Sequence, residues 1–315
     1  MENALSLQPG YSAAISSASP VSLEDLRVRF LSWIDASPKT IQTYTRAIRQ
    51  FFKWLRAEEI SRPGRADILR WRDQLKASHA AATIQAYIIA VRQFFKWTAA
   101  EGLYPNVAEH IKGAKIRREH KKDALTASQV KAVLSKIDRS GEIGLRDYAL
   151  FALLSACGLR DIEASRANIQ DLRQIGGEAV LFVQGKGRSD KAEYVKLAPA
   201  VEAAIREYLG TRPEASPDAP LFVSGSNRAN GERLSTRSIS GAIKSALLRA
   251  GYNSARLTAH SLRHTAITLA LLGGCSLQEV QQFARHSSIN TTQIYAHNLE
   301  RAANRSEAAI AAAIF

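Results

Sequence analysis

Apolar residues recur at helical spacing over residues 22–102, and that pattern predicts four helices. Ser22-Leu-Glu-Asp opens the first, with Leu26, Phe30, Leu31 and Trp33 on its apolar side. Pro38 suits the first turn of the second, which runs to about Ala57. The third covers roughly residues 65–76 and the fourth roughly 81–101. The second and fourth repeat one another. Thr40-Ile-Gln-Thr-Tyr44 leads to Arg49-Gln-Phe-Phe-Lys-Trp54, and Thr83-Ile-Gln-Ala-Tyr87 leads to Arg92-Gln-Phe-Phe-Lys-Trp97, an offset of 43 residues. Two copies fall short of a solenoid and predict a pair of helical hairpins packed on each other. Phe51, Phe52, Phe94 and Phe95 read as its core.

Helix also dominates the second half, beginning after Leu125 with Thr126 or Ser128 as cap. Further helices are expected near 200–209, 236–250, 260–272, 277–285 and 291–297, with Ser276 and Glu279 forming a capping box. Ala179-Val-Leu-Phe-Val183 and Glu193-Tyr-Val-Lys-Leu197 flank a Gly-rich turn and read as a β-hairpin. The Ala-rich end, apolar at Ile310, Ile314 and Phe315, is near the lower length limit for a lone helix in water, so it should dock. The class is mainly α with a small β-hairpin or sheet. We divide the chain into a flexible tail (1–20), a helical domain (21–108), a basic linker (109–123), a second domain (124–300) and a docking helix (301–315).

Composition sharpens this picture. A hydrophobic content of 46% over 315 residues fits a globular protein. A net charge of +14 and a pI near 10 argue for a polyanionic partner, because counterion release drives basic surfaces onto nucleic acid. The 112–122 run carries Lys115, Arg117, Arg118, Lys121 and Lys122, and reads equally as a solvated linker and as a crossing over a phosphate backbone. Arg46, Arg49, Lys53, Arg92 and Lys96 are further candidates for phosphate contact, each as readily an ordinary solvated charge. Cys157 and Cys275 lack metal-ligand spacing, so a reducing cytosol is the expected home. No run approaches the roughly 18 apolar residues of a membrane span, and no basic leader with an apolar block opens the chain.

The chemistry concentrates near the C-terminus. His260-Ser-Leu-Arg263-His264, Ala284-Arg-His286 and Tyr295 stand in order within 36 residues, with Gly158-Leu-Arg160-Asp-Ile-Glu163 far upstream and Gly185-Lys186-Gly187 between. Arginines neutralise phosphate with forked donors. A tyrosine hydroxyl can hold a phosphate covalently, but its ordinary pKa near 10 demands proton removal and a cationic pocket. Arg160 and Glu163 lie three apart, on one face of a helix, as do His260 and Arg263. His264 points roughly 100° round the helix from Arg263 and reads as structural, as does His297. The i,i+4 spacing of His260 and His264 is metal-compatible, but no intervening Glu or further ligand accompanies it.

This ordered set resembles the tyrosine recombinases, the phage-integrase and Xer-type family of DNA strand-exchange enzymes, over residues 22–298. The resemblance implies a SAM-like helical core-binding domain followed by a mixed α+β catalytic domain, the two closing round DNA as a C-shaped clamp. It implies Arg160 and Arg263 on the scissile phosphate, with His260 and His286 beside them and Glu163 supporting Arg160. Tyr295 would be the nucleophile and Lys186 the general acid, with Lys191 its rival in the same loop. The implied activity is site-specific recombination through a 3′-phosphotyrosyl bond and a Holliday junction, with no cofactor, obligatory metal or ATP. Implied partners are double-stranded DNA bearing a recombination site, three further copies in a synaptic tetramer that exchanges C-terminal helices, and accessory DNA-bending proteins; none is a membrane. The place is the cytoplasm, at the nucleoid. One departure stands out: where relatives usually read Leu-Gly-His-Ser-Ser, this chain reads Ala284-Arg-His-Ser-Ser, so Arg285 replaces a glycine suited to a turn. Two other classes stay open, a type IB topoisomerase-like DNA-relaxing enzyme and a non-catalytic DNA-binding architectural protein.

Overall fold

The computed structural model describes residues 22–115 and 123–314, apart from 186, 187, 189, 227, 228, 304 and 305. Two compact units make up the chain, Met1–Arg118 and Glu119–Phe315. The first holds α1 (Leu23–Trp33), α2 (Pro38–Ala57), α3 (Arg65–Leu75) and α4 (Ala81–Ala100). Ser22 Oγ accepts from the Asp25 N–H at 3.1 Å, and Ser37 Oγ accepts from the Thr40 N–H at 3.3 Å. Each serine thereby satisfies one of the orphan donors of a helix start.

The repeated sequence becomes a repeated contact. α2 and α4 are both 20 residues long and pack on each other. Phe51 meets Phe95 edge-on at 6.0 Å, and Phe52 meets Phe94 edge-on at 5.3 Å. Because Phe51 corresponds to Phe94 and Phe52 to Phe95, each copy offers the other the same surface. All four rings are at most 3% exposed. Trp71 of α3, 4.9 Å from Phe51, and Phe30 of α1, 5.5 Å from Phe94, complete the cluster. Arg46, Arg49 and Lys53 share one exposed face of α2; Arg92 and Lys96 share one of α4. Lys115 is exposed too. Arg117, Arg118, Lys121 and Lys122, like the tail at 1–20, lie outside the described residues.

The second unit is built round α6 (Glu142–Cys157), which follows α5 (Ala127–Ser135). Thr126 is the cap of α5, accepting from the Gln129 N–H at 3.2 Å while Gln129 Oε1 accepts from the Thr126 N–H at 2.8 Å. Ala149, Leu150, Phe151, Leu153 and Leu154 are all 0% exposed, so the second half of α6 is buried on every side and central. α7 (Asp161–Arg166) leads through a short 3-10 turn to β1 (Leu172–Ile175), β2 (Glu178–Val183) and β3 (Glu193–Lys196). The sheet is antiparallel with β2 in the middle, Leu181 facing Leu172 on one side and Val195 on the other. The expected hairpin is therefore two strands of three. β1 escapes the sequence pattern because Leu-Arg-Gln-Ile buries only Leu172, and that partly.

The remaining helices are α8 (Pro199–Leu209), α9 (Thr236–Arg249), α10 (Ala259–Leu272), α11 (Leu277–Ala284), α12 (Ile289–Ala303) and α13 (Ser306–Ile314). α6 packs against α8 and α10, and α10 against α11 and α12. α12 starts earlier and runs further than the 291–297 expected, and α13 falls in the expected docking segment with Ile310 and Ile314 exposed. No helix among the described residues is long and apolar enough to cross a membrane. Cys157 is buried and Cys275 exposed, and they form no disulfide. The reciprocal aromatic contact predicts a measurable loss: Phe94→Ala should lower the unfolding free energy of the first unit by about 3–5 kcal/mol in a urea titration.

Candidate active site

The site starts where α6 stops. Gly158 adopts φ 59° and ψ 28°, the left-handed cap that ends many helices. A Cβ there would meet the Phe283 ring at 2.9 Å, so two constraints select glycine at this point. The glycine admits a close approach of Phe283 rather than of a ligand. The chain then turns into α7, with Arg160 at its N-cap. Glu163, one turn on, folds back: Oε2 accepts from the Arg160 backbone N–H at 2.8 Å and Oε1 from Arg160 Nη1 at 2.7 Å. Glu163 is 0% exposed while the Arg160 side chain keeps 27% of its surface. The pair meets on one side as its spacing predicts, with the arginine just outside the helix.

A third residue reaches the same carboxylate. α11 closes with the Arg285 N–H donating to Gln282 O at 2.9 Å and the His286 N–H to Gln281 O at 3.1 Å. This closure needs a left-handed residue, and Arg285 supplies it at φ 52°, which costs a non-glycine residue roughly 1–2 kcal/mol. The substitution keeps the turn and adds a side chain. Arg285 Nη2 donates to Glu163 Oε2 at 2.6 Å and Nη1 to Phe283 O at 3.0 Å, while its buried Nε has no hydrogen-bond partner among the described residues. Burial pushes the Glu163 carboxyl up, but Arg285 and the hydrogen bonds from Arg160 outweigh it and hold the pKa below its ordinary value.

Arg263, on α10 and 3% exposed, joins two helix ends. Its Nη1 donates to Gly158 O at 2.5 Å and its Nη2 to Ala284 O. Both carbonyls belong to helix C-termini, where backbone acceptors lack partners and the macrodipole favours a cation. Burial, then repulsion from Arg160, lowers its pKa to about 10, which still leaves a cation at neutral pH.

Tyr295 of α12 is 7% exposed, and its hydroxyl lies 2.5 Å from Nδ1 of His264. Burial pushes the phenol up to about 12 against the pull of Arg263 and Arg160. His264 is itself buried at 8% and meets the exposed His260 ring edge to face, centroids 4.7 Å apart. His286 Nδ1 is 3.0 Å from the hydroxyl of the fully buried Thr292. Burial and then the cations Arg263, Arg160 and Arg285 lower its pKa to about 4, so the ring is neutral near pH 7. The His286 ring also stacks beside Tyr295, their centroids 6.3 Å apart.

Arg160, Arg285 and His286 line an open cleft of about 800 Å³ together with Gly185, Arg188 and Tyr194. Gly185 brings the β2–β3 loop to this wall; Lys186 itself lies outside the described residues. Its rival Lys191 is committed elsewhere, paired with the buried Asp171. His297 is exposed on α12. Among the described residues no three His, Cys, Asp or Glu side chains are grouped to hold a metal ion. Of the residues singled out by sequence, Arg160, Glu163, His260, Arg263, His286 and Tyr295 thus converge from α7, α10, α11 and α12. Sequence reading missed the roles of His264, whose signal was its i,i+4 spacing from His260, and of Arg285. Guanidinium groups facing a cleft, a neutral imidazole and a phenol nearby suit a negatively charged ester and an oxygen nucleophile.

Comparison with known proteins agrees with that chemistry. Residues 123–301 match the model of the phage integrase family, and residues 28–102 match the phage integrase N-terminal SAM-like domain. The chain is 30% identical over 273 residues to a tyrosine recombinase of Synechococcus elongatus, covering 82% of this chain and 84% of that protein. It is 40% identical over 154 residues to the tyrosine recombinase XerC of Rhodospirillum centenum, covering 49% of this chain and 42% of that protein. Among solved structures, the XerH site-specific recombinase bound to palindromic difH substrate in a post-cleavage complex superposes with a TM-score of 0.69 at 22% identity, over 90% of this chain and 84% of that one.

The Arg285–Glu163 pair yields an ordered prediction. Arg285→Ala should destabilise the second unit by about 3 kcal/mol, since one partner of a buried pair is removed while Arg160 remains. Arg285→Gly should recover about 1 kcal/mol of that loss, because glycine accepts the left-handed backbone. Urea titration of both variants gives the order.

Proposed function

Because the chain belongs to the phage integrase family, among tyrosine recombinases, we propose that it is a site-specific DNA recombinase that cuts and rejoins strands through Tyr295. The observation that supports this most is electrostatic. Arg263 and Arg160 lie close enough to Tyr295 that both cations pull its pKa down, which supports a single site for a phosphate ester and its nucleophile.

In this reading Arg160 and Arg263 donate to the non-bridging oxygens of the scissile phosphate, where charge builds up in the transition state. His286 donates from Nε2, and His260, exposed beside the buried pair, shares the phosphate charge. Tyr295 Oη attacks phosphorus, Lys186 protonates the departing 5′-oxygen, and a 3′-phosphotyrosyl bond stores the bond energy. A 5′-hydroxyl from a second duplex then reverses the step and exchanges strands through a Holliday junction. Energy conserved in the covalent bond leaves no task for ATP, and the cationic side chains take the place a metal would fill.

The partner is double-stranded DNA carrying a specific site, bound with the help of the exposed rows Arg46, Arg49, Lys53 and Arg92, Lys96, together with Lys115 and its basic neighbours. Each neutralised phosphate adds to affinity and to its salt dependence. Four protomers acting on two sites, joined by exchange of the apolar α13, make up the assembly, in the cytoplasm where DNA is accessible. The XerH structure, of the same fold, is a post-cleavage complex with its difH substrate, which supports DNA as the partner here.

The test is a nicked suicide duplex drawn from DNA flanking the gene, which traps the covalent stage. Wild type should give a protein–DNA adduct stable to denaturant, and Tyr295→Phe should give none while binding the duplex with unchanged affinity. Adducts from Tyr295→Phe would overturn the assignment of the nucleophile. Adducts without recombinant products would favour relaxation over recombination.

A further inference from the structure

The phenol must lose a proton to attack, and its surroundings make spontaneous loss rare. Tyr295 is 7% exposed and burial pushes its pKa up to about 12. A neighbouring base therefore has to take the proton as the bond to phosphorus forms. His286 has its Nδ1 against Thr292 at 3.0 Å and lines the cleft. His260 is exposed, in ring contact with His264. His264 has the required geometry: Nδ1 stands 2.5 Å from Tyr295 Oη, inside a buried contact between α10 and α12. Its place directly after Arg263 couples the two functions, since the backbone that aims the guanidinium also aims the imidazole.

Resting on the recombinase reading, we propose that His264 is a catalytic residue, the proton acceptor for Tyr295. The proton balance is complete. As Oη bonds to phosphorus, its proton passes to His264 Nδ1, the bond from phosphorus to the 5′-oxygen breaks, and that oxygen takes a proton from the general acid, Lys186. His264 stays protonated while the phosphotyrosyl bond lasts. On rejoining, the 5′-hydroxyl returns its proton to the general acid and attacks phosphorus, and the released phenolate takes its proton back from His264. No oxidant, metal or further co-reactant enters.

The experiment measures single-turnover adduct formation on the nicked duplex by wild type, His264→Ala and His264→Asn, with binding and melting temperature followed in parallel. Asn keeps a hydrogen-bond acceptor but cannot take the proton. Both variants should form adduct about 10²–10⁴-fold more slowly, and added imidazole should restore the His264→Ala rate in proportion to its concentration. A 5′-bridging phosphorothiolate, whose leaving thiolate needs no proton, should leave the deficit in place. A wild-type rate in either variant overturns the proposal, as does slow cleavage without imidazole rescue, which would mark a supporting role. Loss of the deficit on the phosphorothiolate would move His264 to the leaving-group side and overturn it too. An active wild type beside an equally active His264→Ala leaves the recombinase reading standing; a wild type that forms no adduct removes both.

Discussion

A carboxylate with no solvent contact ties together the parts of the second unit that matter most. Glu163 accepts from the backbone and the guanidinium of Arg160 and from the guanidinium of Arg285, joining the start of α7 to the end of α11. An isolated buried carboxylate is prohibitively costly, and two arginines make this one tolerable. The charge count has a consequence for ligands. With one arginine the pair would be neutral, whereas two arginines round one carboxylate leave a net positive site facing the cleft. Arg285 thus costs backbone strain at φ 52° and contributes a cation that glycine would not supply.

Arg263 applies the same logic with backbone instead of carboxylate. It satisfies carbonyls at the ends of α6 and α11 and so fixes two helices whose neighbours carry Arg160 and His286. The fold positions its cations by making each of them complete a helix terminus or a buried charge. Tyr295 is held against His264 in the interior, and in the proposed mechanism its oxygen meets a target only when a phosphate is bound. In that mechanism burial of the phenol would be a safeguard as well as an obstacle, because a poorly ionised tyrosine does not react unprompted.

Much of this was legible in the chain. The 43-residue repeat foretold α2, α4 and their shared phenylalanine core, because a repeated amphipathic face has few partners other than its copy. The i,i+3 spacing placed Arg160 beside Glu163, although the arginine turned out to cap the helix. What escaped reading depended on contacts distant in sequence. The partnership of His264 with Tyr295 spans 31 residues and that of Arg285 with Glu163 spans 122. β1 escaped because a strand with one partly buried side chain shows no alternation. Arg117, Arg118, Lys121, Lys122 and Lys186 stay at the level of sequence.

The central claim is that a single buried negative charge organises the positive site. Single-turnover adduct formation by Glu163→Gln tests it most directly, since glutamine keeps the shape and an acceptor oxygen but removes the charge. We expect the variant to hold DNA within a few-fold of wild type and to form adduct at least about 10²-fold more slowly, as Arg160 loses its anchor. Adduct formation at the wild-type rate, with the protein folded and bound, would contradict the account.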